Sequence, residues 1–388
     1  MGHMSHMSQM SQMEVLTISS IGLYDLDYHK KKLNEIKMKK ILTAITVMMG
    51  IVAMAQDSTK KESKSPLISG SIDAYYRYNF ANPPSGTTNN LTSFTNSQNS
   101  FELGLATIRA DHSFGMASAT IDLGFGRRAQ ENSYNDGVSN SYFSLANIKQ
   151  LYVSYSPTDK IKLTAGKWDT HIGYEVTDAY LNRNYSMSYM FSYGPFFHTG
   201  IKADVSFGGK TAVMIGIANP TDYSTTMRSA KFVIAQLSSA TSNEKLKAYL
   251  NYQGGRFAPG ISLHQFDLVV NGTITGKFSI GYNGTVQFRK PIIGSSANWW
   301  GSALYFNFDP CSYYGLTLRG EYFDDKEAVA GLNNKVLSFT LSNIFRTGNL
   351  SFIPELRYEN ASKNLFVNHS GDPIKNTLSG ILAATYHF

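Results

Sequence analysis

From Lys277 to Arg289 the chain alternates without a break. Lys277, Ser279, Gly281, Asn283, Thr285, Gln287 and Arg289 stand on one parity, and Phe278, Ile280, Tyr282, Gly284, Val286 and Phe288 on the other. Alternation marks a strand with one apolar and one polar face, but a half-buried strand of a soluble sandwich shows it too. Length and repetition separate the two. Globular strands usually run to about six residues, whereas a strand crossing a bilayer at a tilt needs roughly ten, with apolar side chains toward lipid and polar ones toward a lumen. The chain closes on the same pattern, with Leu378, Gly380, Leu382, Ala384, Tyr386 and Phe388 opposed to Thr377, Ser379, Thr385 and His387.

The pattern predicts sixteen strands: near 67–80, 99–112, 116–128, 146–156, 161–168, 198–207, 210–219 and 230–239, then near 244–252, 261–274, 276–289, 298–308, 312–323, 335–345, 349–359 and 375–388. Tight connections with Gly, Pro or Asp chemistry at 113–115, 157–160, 208–209, 275–276, 309–312 and 347–348 alternate with long polar segments at 81–98, 129–145, 169–197, 324–334 and 360–374. Membrane barrels combine short periplasmic turns with long outer loops in this way. The expectation is an all-β, transmembrane antiparallel β-barrel of about sixteen strands over residues 67–388, with both termini periplasmic.

Composition supports that reading. The chain has 24 Tyr and 23 Phe and is 42% hydrophobic, yet its mature part holds no apolar run of transmembrane-helix length. Aromatic girdles at both membrane interfaces would house those rings. Met38-Lys39-Lys40, the apolar stretch 41–52 and Ala53-Met54-Ala55 have the three parts of a cleavable signal peptide over 38–55. Residues 1–37 then read as a non-structural extension and 56–66 as a Lys- and Ser-rich periplasmic leader. The single cysteine, Cys311, forms no internal disulfide and reads as a small turn residue. A net charge of +7, spread along the chain, suggests no nucleic-acid surface.

A set of local motifs is more specific. The run Gly70-Ser71-Ile72-Asp73-Ala74-Tyr75-Tyr76-Arg77-Tyr78 is followed by Ala165-Gly166-Lys167-Trp168, Gly173-Tyr174-Glu175, Asn184-Tyr185-Ser186 and His198-Thr199-Gly200. Together they resemble the OmpL-like beta-barrel porin family, common in Bacteroidota, over residues 67–388. That resemblance implies an outer-membrane pore and leaves its solute open. The terminal Tyr386 and Phe388 resemble the signal by which outer-membrane barrels are handed to their insertion machinery.

Parity assigns the inner wall. On the first strand Ser69, Ser71, Asp73, Tyr75, Arg77 and Asn79 face the lumen, and the same rule places Asp122, Arg128, Lys202, Asp204, Lys247, Lys277, Arg289, Arg319, Glu321, Glu355 and Arg357 there. A charge on the lipid face at mid-bilayer would cost roughly 2–4 kcal/mol. The list holds eight basic and five acidic residues, which suggests a weak anion preference, and neighbours such as Arg319 and Glu321 read as a paired network that stiffens the wall. The longest loop, 169–197, carries Asp169, His171, Glu175, Asp178, Arg183, Tyr185, Tyr189 and Tyr193 after Trp168. Folded inward it would narrow the lumen, with Trp168, Asp169, Glu175, Asp178, Arg183 and Tyr185 as constriction candidates. The alternative is a cap over the barrel mouth.

No nucleophile elbow, phosphate loop or zinc signature is present, and the pairs His112-Ser113 and His369-Ser370 fall in connections. Neither an enzyme nor a cofactor or metal is expected. The function predicted is passive diffusion of small hydrophilic solutes through a barrel that contacts outer-membrane lipids. The alternative is a surface-exposed binding or adhesion barrel with a plugged lumen.

Overall fold

The computed structural model describes residues 65–136, 145–227 and 230–388, so the extension at 1–37, the signal peptide at 38–55 and nearly all of the 56–66 leader lie outside the described residues. Sixteen antiparallel strands form a closed ring. In chain order they are β1 (Leu67–Asn79), β2 (Ser100–Phe114), β3 (Ala117–Phe125), β4 (Ile148–Thr158), β5 (Ile161–Asp169), β6 (Phe197–Gly208), β7 (Thr211–Ala218) and β8 (Phe232–Ala240). The second half has β9 (Leu246–Ala258), β10 (Ile261–Thr273), β11 (Phe278–Pro291), β12 (Ala297–Cys311), β13 (Tyr314–Asp324), β14 (Lys335–Thr347), β15 (Leu350–Ala361) and β18 (Asn376–His387). A separate two-stranded hairpin, β16 (Phe366–Val367) with β17 (Pro373–Ile374), stands in the connection from β15 to β18.

The ring closes where β18 meets β1, in register from Ser71 opposite His387 to Asn79 opposite Ser379. Closure leaves no edge of unpaired N–H and C=O groups, which is what a strand in hydrocarbon requires. The outer surface is the predicted parity: Ile72, Ile201, Ile215, Phe266, Leu304, Phe339, Leu356 and Leu382 are exposed, while Asp73, Arg319, Glu321, Glu355 and Arg357 are buried inside.

Three local expectations change. β3 ends at Phe125 because Gly126, at φ +106°, turns the chain into the short helix Arg127–Asn132, so Arg128 enters the lumen from a connection and is not a wall residue. Lys277 precedes β11 and is exposed in the turn, where its carbonyl accepts from Asp309 N, so it too is absent from the luminal wall. The alternation of short and long connections breaks at two places on the long-loop rim. There β9 runs on to Ala258 and turns into β10 through Pro259 and Gly260, at φ +75°, and β11 returns into β12 through residues 292–296 only.

The chain end helps to lock the seam. Phe388 N donates to Gly70 O and Gly70 N to Phe388 O, both at 3.0 Å, and the Tyr386 and Phe388 rings lie outward and exposed with centres 6.4 Å apart. Deleting Phe388 removes both hydrogen bonds and the terminal ring without touching any inward side chain. The amount of heat-modifiable barrel in the membrane fraction should fall while synthesis and export continue. Equal amounts in the two strains would show that the terminal ring is dispensable for insertion.

Candidate functional site in the barrel lumen

Between β5 and β6, residues 170–196 leave the wall and meet inward-facing groups far around the ring. Tyr185 Oη donates to Asp73 Oδ1 on β1 at 2.5 Å, Asn184 Nδ2 to Ser342 Oγ on β14 at 2.7 Å, and Tyr189 Oη to Glu359 Oε1 on β15 at 2.6 Å. Arg183 forms a two-pronged pair with Asp309 of β12, at 2.8 and 3.1 Å, and its Nε donates to Thr317 Oγ1 at 2.7 Å. Asp309 borders the short β12–β13 turn, so the segment descends from the long-loop rim toward the opposite one. Two wall glycines make room for it. A Cβ on Gly281 would stand 2.4 Å from Tyr174 Cε2, and one on Gly301 2.5 Å from Met190 Cγ.

Buried charges hold the backbone of this strap. Glu355 accepts from Tyr185 N and Ser186 N at 2.7 and 3.1 Å, Glu321 from Tyr189 N and Met190 N at 3.0 Å each, and the strap's own Glu175 from Ser188 N at 2.7 Å. Arg319 donates to Ser186 O and Met187 O at 2.8 and 3.3 Å, Arg357 to Met187 O at 2.6 Å, and Arg128 to Thr177 O and Tyr185 O at 3.0 and 3.4 Å. Buried backbone outside regular structure must find partners, and ionised partners give the stronger bonds. The pairing expected between Arg319 and Glu321 does not form. Arg319 bonds Glu175 at 2.5 Å instead of its neighbour Glu321, and Arg357 meets Glu359 at 3.1 Å.

The other candidates divide into groups. Trp168 is buried against Met214, Ala218 and Ile234, with Lys202 Nζ 5.6 Å from its ring centre. Asp122, Asp169 and Asp178 converge on buried Lys149, at 3.0, 3.6 and 2.5 Å. Arg77 donates to the carbonyls of Thr88, Ser97 and Asn89, tying down the connection from β1 to β2. Lys202 pairs with Asp204 at 3.3 Å, Lys247 with Glu244 at 3.1 Å, and Arg289 lies over the Phe257 ring at 5.2 Å. The strap's His171 stands apart from the acids. Glu175 goes to Arg319, Asp169 and Asp178 go to Lys149, and His171 stacks on His198 with ring centres 4.9 Å apart. Burial lowers the His171 pKa to about 4.

Several interior residues were not singled out from the sequence. Arg109 and Asp111 on β2 form an ion pair at 2.6 Å and alternate in parity with Ile108 and Ala110, so the rule applied to β1 would have found them. Lys149 was hidden by a register shift between β3 and β4 at Asp122 and Leu123. At the mouth, buried Asp222 accepts from Phe196 N and Phe197 N at 2.7 and 3.2 Å and from Tyr134 Oη at 3.2 Å. Burial raises its pKa to about 7 and also pushes the Tyr134 phenol up.

Coverage of the wall is uneven. The side chains of Arg319, Arg357 and Glu359 are 0–3% exposed beneath the strap, whereas Arg109, Asp111 and Asp204 keep 30, 34 and 37%. Those three belong to β2 and β6, toward the short-turn rim.

No curated protein matches the sequence. Solved structures do share its fold. An anion-selective porin from Comamonas acidovorans is 13% identical with a TM-score of 0.57, covering 84% of this chain and 100% of its own. The outer membrane channel DcaP of Acinetobacter baumannii is 10% identical with a TM-score of 0.56, covering 86% and 100%. Outer-membrane expressed OmpT of Vibrio cholerae is 11% identical with a TM-score of 0.54, again covering 86% and 100%. The family model described as "Putative beta-barrel porin-2, OmpL-like" matches residues 67–388, the whole barrel. The chain therefore belongs to the OmpL-like β-barrel porins.

Proposed function

We propose that the barrel is a passive diffusion pore of the bacterial outer membrane, exported by the cleavable signal peptide at 38–55 and conducting small hydrophilic solutes past the 170–196 strap. The observation that carries this reading is the uneven wall. The strap bonds β1, β4, β8–β10 and β12–β15, and the inward charges that retain solvent, Arg109, Asp111, Asp204, Asp309 and Arg346, lie toward the short-turn rim. A solute route then passes between strap and wall and reaches Arg109, Asp111, Lys202 and Asp204 toward the short-turn rim. No catalytic step is proposed: His369 Nε2 and Ser370 Oγ lie 3.2 Å apart but are sequence neighbours on an exposed connection.

The preference for anions is weak in this reading, because most wall cations are paired and Arg128 and Lys277 are off the wall. Toward the short-turn rim Arg109, Lys162 and Lys202 stand against Asp111 and Asp204. The reversal potential in a potassium chloride gradient tests this directly. A small anion-selective potential should shrink as salt rises, since screening contracts to about 3 Å near 1 M. Arg183→Ala leaves Asp309 with Arg346 alone, at 3.1 Å, and should move the potential toward cations. A bilayer that stays silent after insertion would favour the plugged, ligand-binding alternative instead.

A further inference from the structure

The lipid-facing side of β9, β10 and β11 is ordered in rows, because strand register places side chains of one face side by side. Val286, Phe266 and Tyr252 form one row, and Phe288, His264 and Gly254 the next. Lys290, Ser262 and Arg256 form the row beyond. The Tyr252 and Phe266 rings lie 5.1 Å apart, and Tyr252 Oη meets His264 Nδ1 at 2.9 Å. On β11 the apolar outward set runs from Phe278 to Phe288. Ten rises of about 3.4 Å along a strand tilted near 40° span roughly 25 Å, the height of a barrel's apolar band. Arg256 and Lys290 therefore stand just outside the hydrocarbon, at the long-loop rim.

Both side chains are exposed, and among the described residues neither forms an ion pair. β9 and β11 carry no acidic residue, and the one acid of β10, Asp267, is buried on the inner parity. Arg256 and Lys290 flank Ser262 on adjacent strands, two strand spacings or about 10 Å apart. A planar guanidinium and an ammonium in one row above an aromatic pair suit a phosphate ester whose acyl chains run down the rings below, and the Ser262 hydroxyl between them, which donates to Lys290 O at 3.3 Å, would turn to the phosphate.

We propose that Arg256, Ser262 and Lys290 bind the phosphate of an anionic lipid in the outer leaflet, with Tyr252, Phe266 and Val286 as the acyl-chain surface. The site rests on the outer-membrane reading above, which puts the long loops outside.

The test compares the full chain and its R256Q/K290Q variant in phosphatidylcholine vesicles with and without diphosphorylated lipid A, scoring the midpoint of heat-induced loss of the barrel. Lipid A should raise the midpoint of the unaltered chain, and the double variant should lose at least half of that rise. K277Q, at the opposite rim, should keep it. Inorganic phosphate at matched ionic strength should give no rise, which separates a lipid headgroup from a free anion. Insertion with equal rises in the unaltered chain and the double variant would overturn the lipid site alone. Failure to insert into either bilayer would overturn the membrane reading with it.

Discussion

A chain lacking residues 185–193 should carry roughly two-fold more current or more per channel, because the excised stretch is the part of the strap pinned across the lumen. The expectation follows from what that stretch touches. Tyr185 reaches Asp73 on β1, Tyr189 reaches Glu359 on β15, and the backbone from Tyr185 to Met190 occupies Glu355, Glu321, Arg319 and Arg357. The barrel should survive, since β5 and β6 remain hydrogen-bonded neighbours from Ile161 to Asp169 and the residual chain needs only to bridge adjacent strands. Selectivity should change with the current. Deletion uncovers Asp73, Glu321, Glu355 and Glu359 against Arg319 and Arg357, so the reversal potential should move toward cations. Unchanged conductance in planar bilayers would mean that the strap is not the barrier, and the wall residues Arg109, Lys202 and Asp204 would have to set the flow.

The barrel could be read from the sequence because lipid imposes a rule on every strand at once: outward side chains must be apolar, and period two follows. Phe278 to Phe288 shows it in one strand, and Leu378 to Phe388 repeats it at the seam. The rule weakens where a strand leaves the membrane or slips. β9 continues through Gly254 and Gly255, whose lack of side chains erases the alternation, so its last residues were missed. Lys149 sits at a register shift, where parity changes by one. Lys277 continued the alternation of β11 but belongs to the turn before it. The strap's residues were legible by length and chemistry, and Glu175, Arg183 and Tyr185 all proved to bind the wall. Their partners were not legible. Arg319 lies 144 positions from Glu175 and two from Glu321, and only the closed ring brings the distant one nearer.

Arg319→Met should destabilise the folded barrel by about 3–5 kcal/mol, the cost of stranding a buried ionic partner. Arg319 is fully buried and holds four groups at once: Glu175 at 2.5 Å, Ser186 O at 2.8 Å, Met187 O at 3.3 Å and Thr340 Oγ1 at 3.1 Å. Methionine fills much of the same volume but supplies no donor, leaving the Glu175 carboxylate and two carbonyls under-satisfied out of contact with solvent. Arg319→Lys should rescue little, since one ammonium cannot span a carboxylate, two carbonyls and a hydroxyl spread across the fork of a guanidinium. Adding Glu175→Gln to Arg319→Met removes the stranded charge, keeps one acceptor oxygen for Ser188 N and offers an amide N–H that Tyr305 Oη can accept, so the double variant should be more stable than Arg319→Met alone. Urea unfolding in lipid vesicles of the unaltered chain, Arg319→Met, Glu175→Gln and the double variant completes the cycle, which should give a coupling of about 1–3 kcal/mol. A channel whose strap has lost this anchor should also flicker more in single-channel records. If Arg319→Met unfolds within about 1 kcal/mol of the unaltered chain and its current is as steady, the strap is held by its ring contacts, Tyr185 on Tyr75 of β1, Tyr174 on Tyr305 of β12 and Tyr189 on Phe323 of β13, and the ionic network only fixes its register.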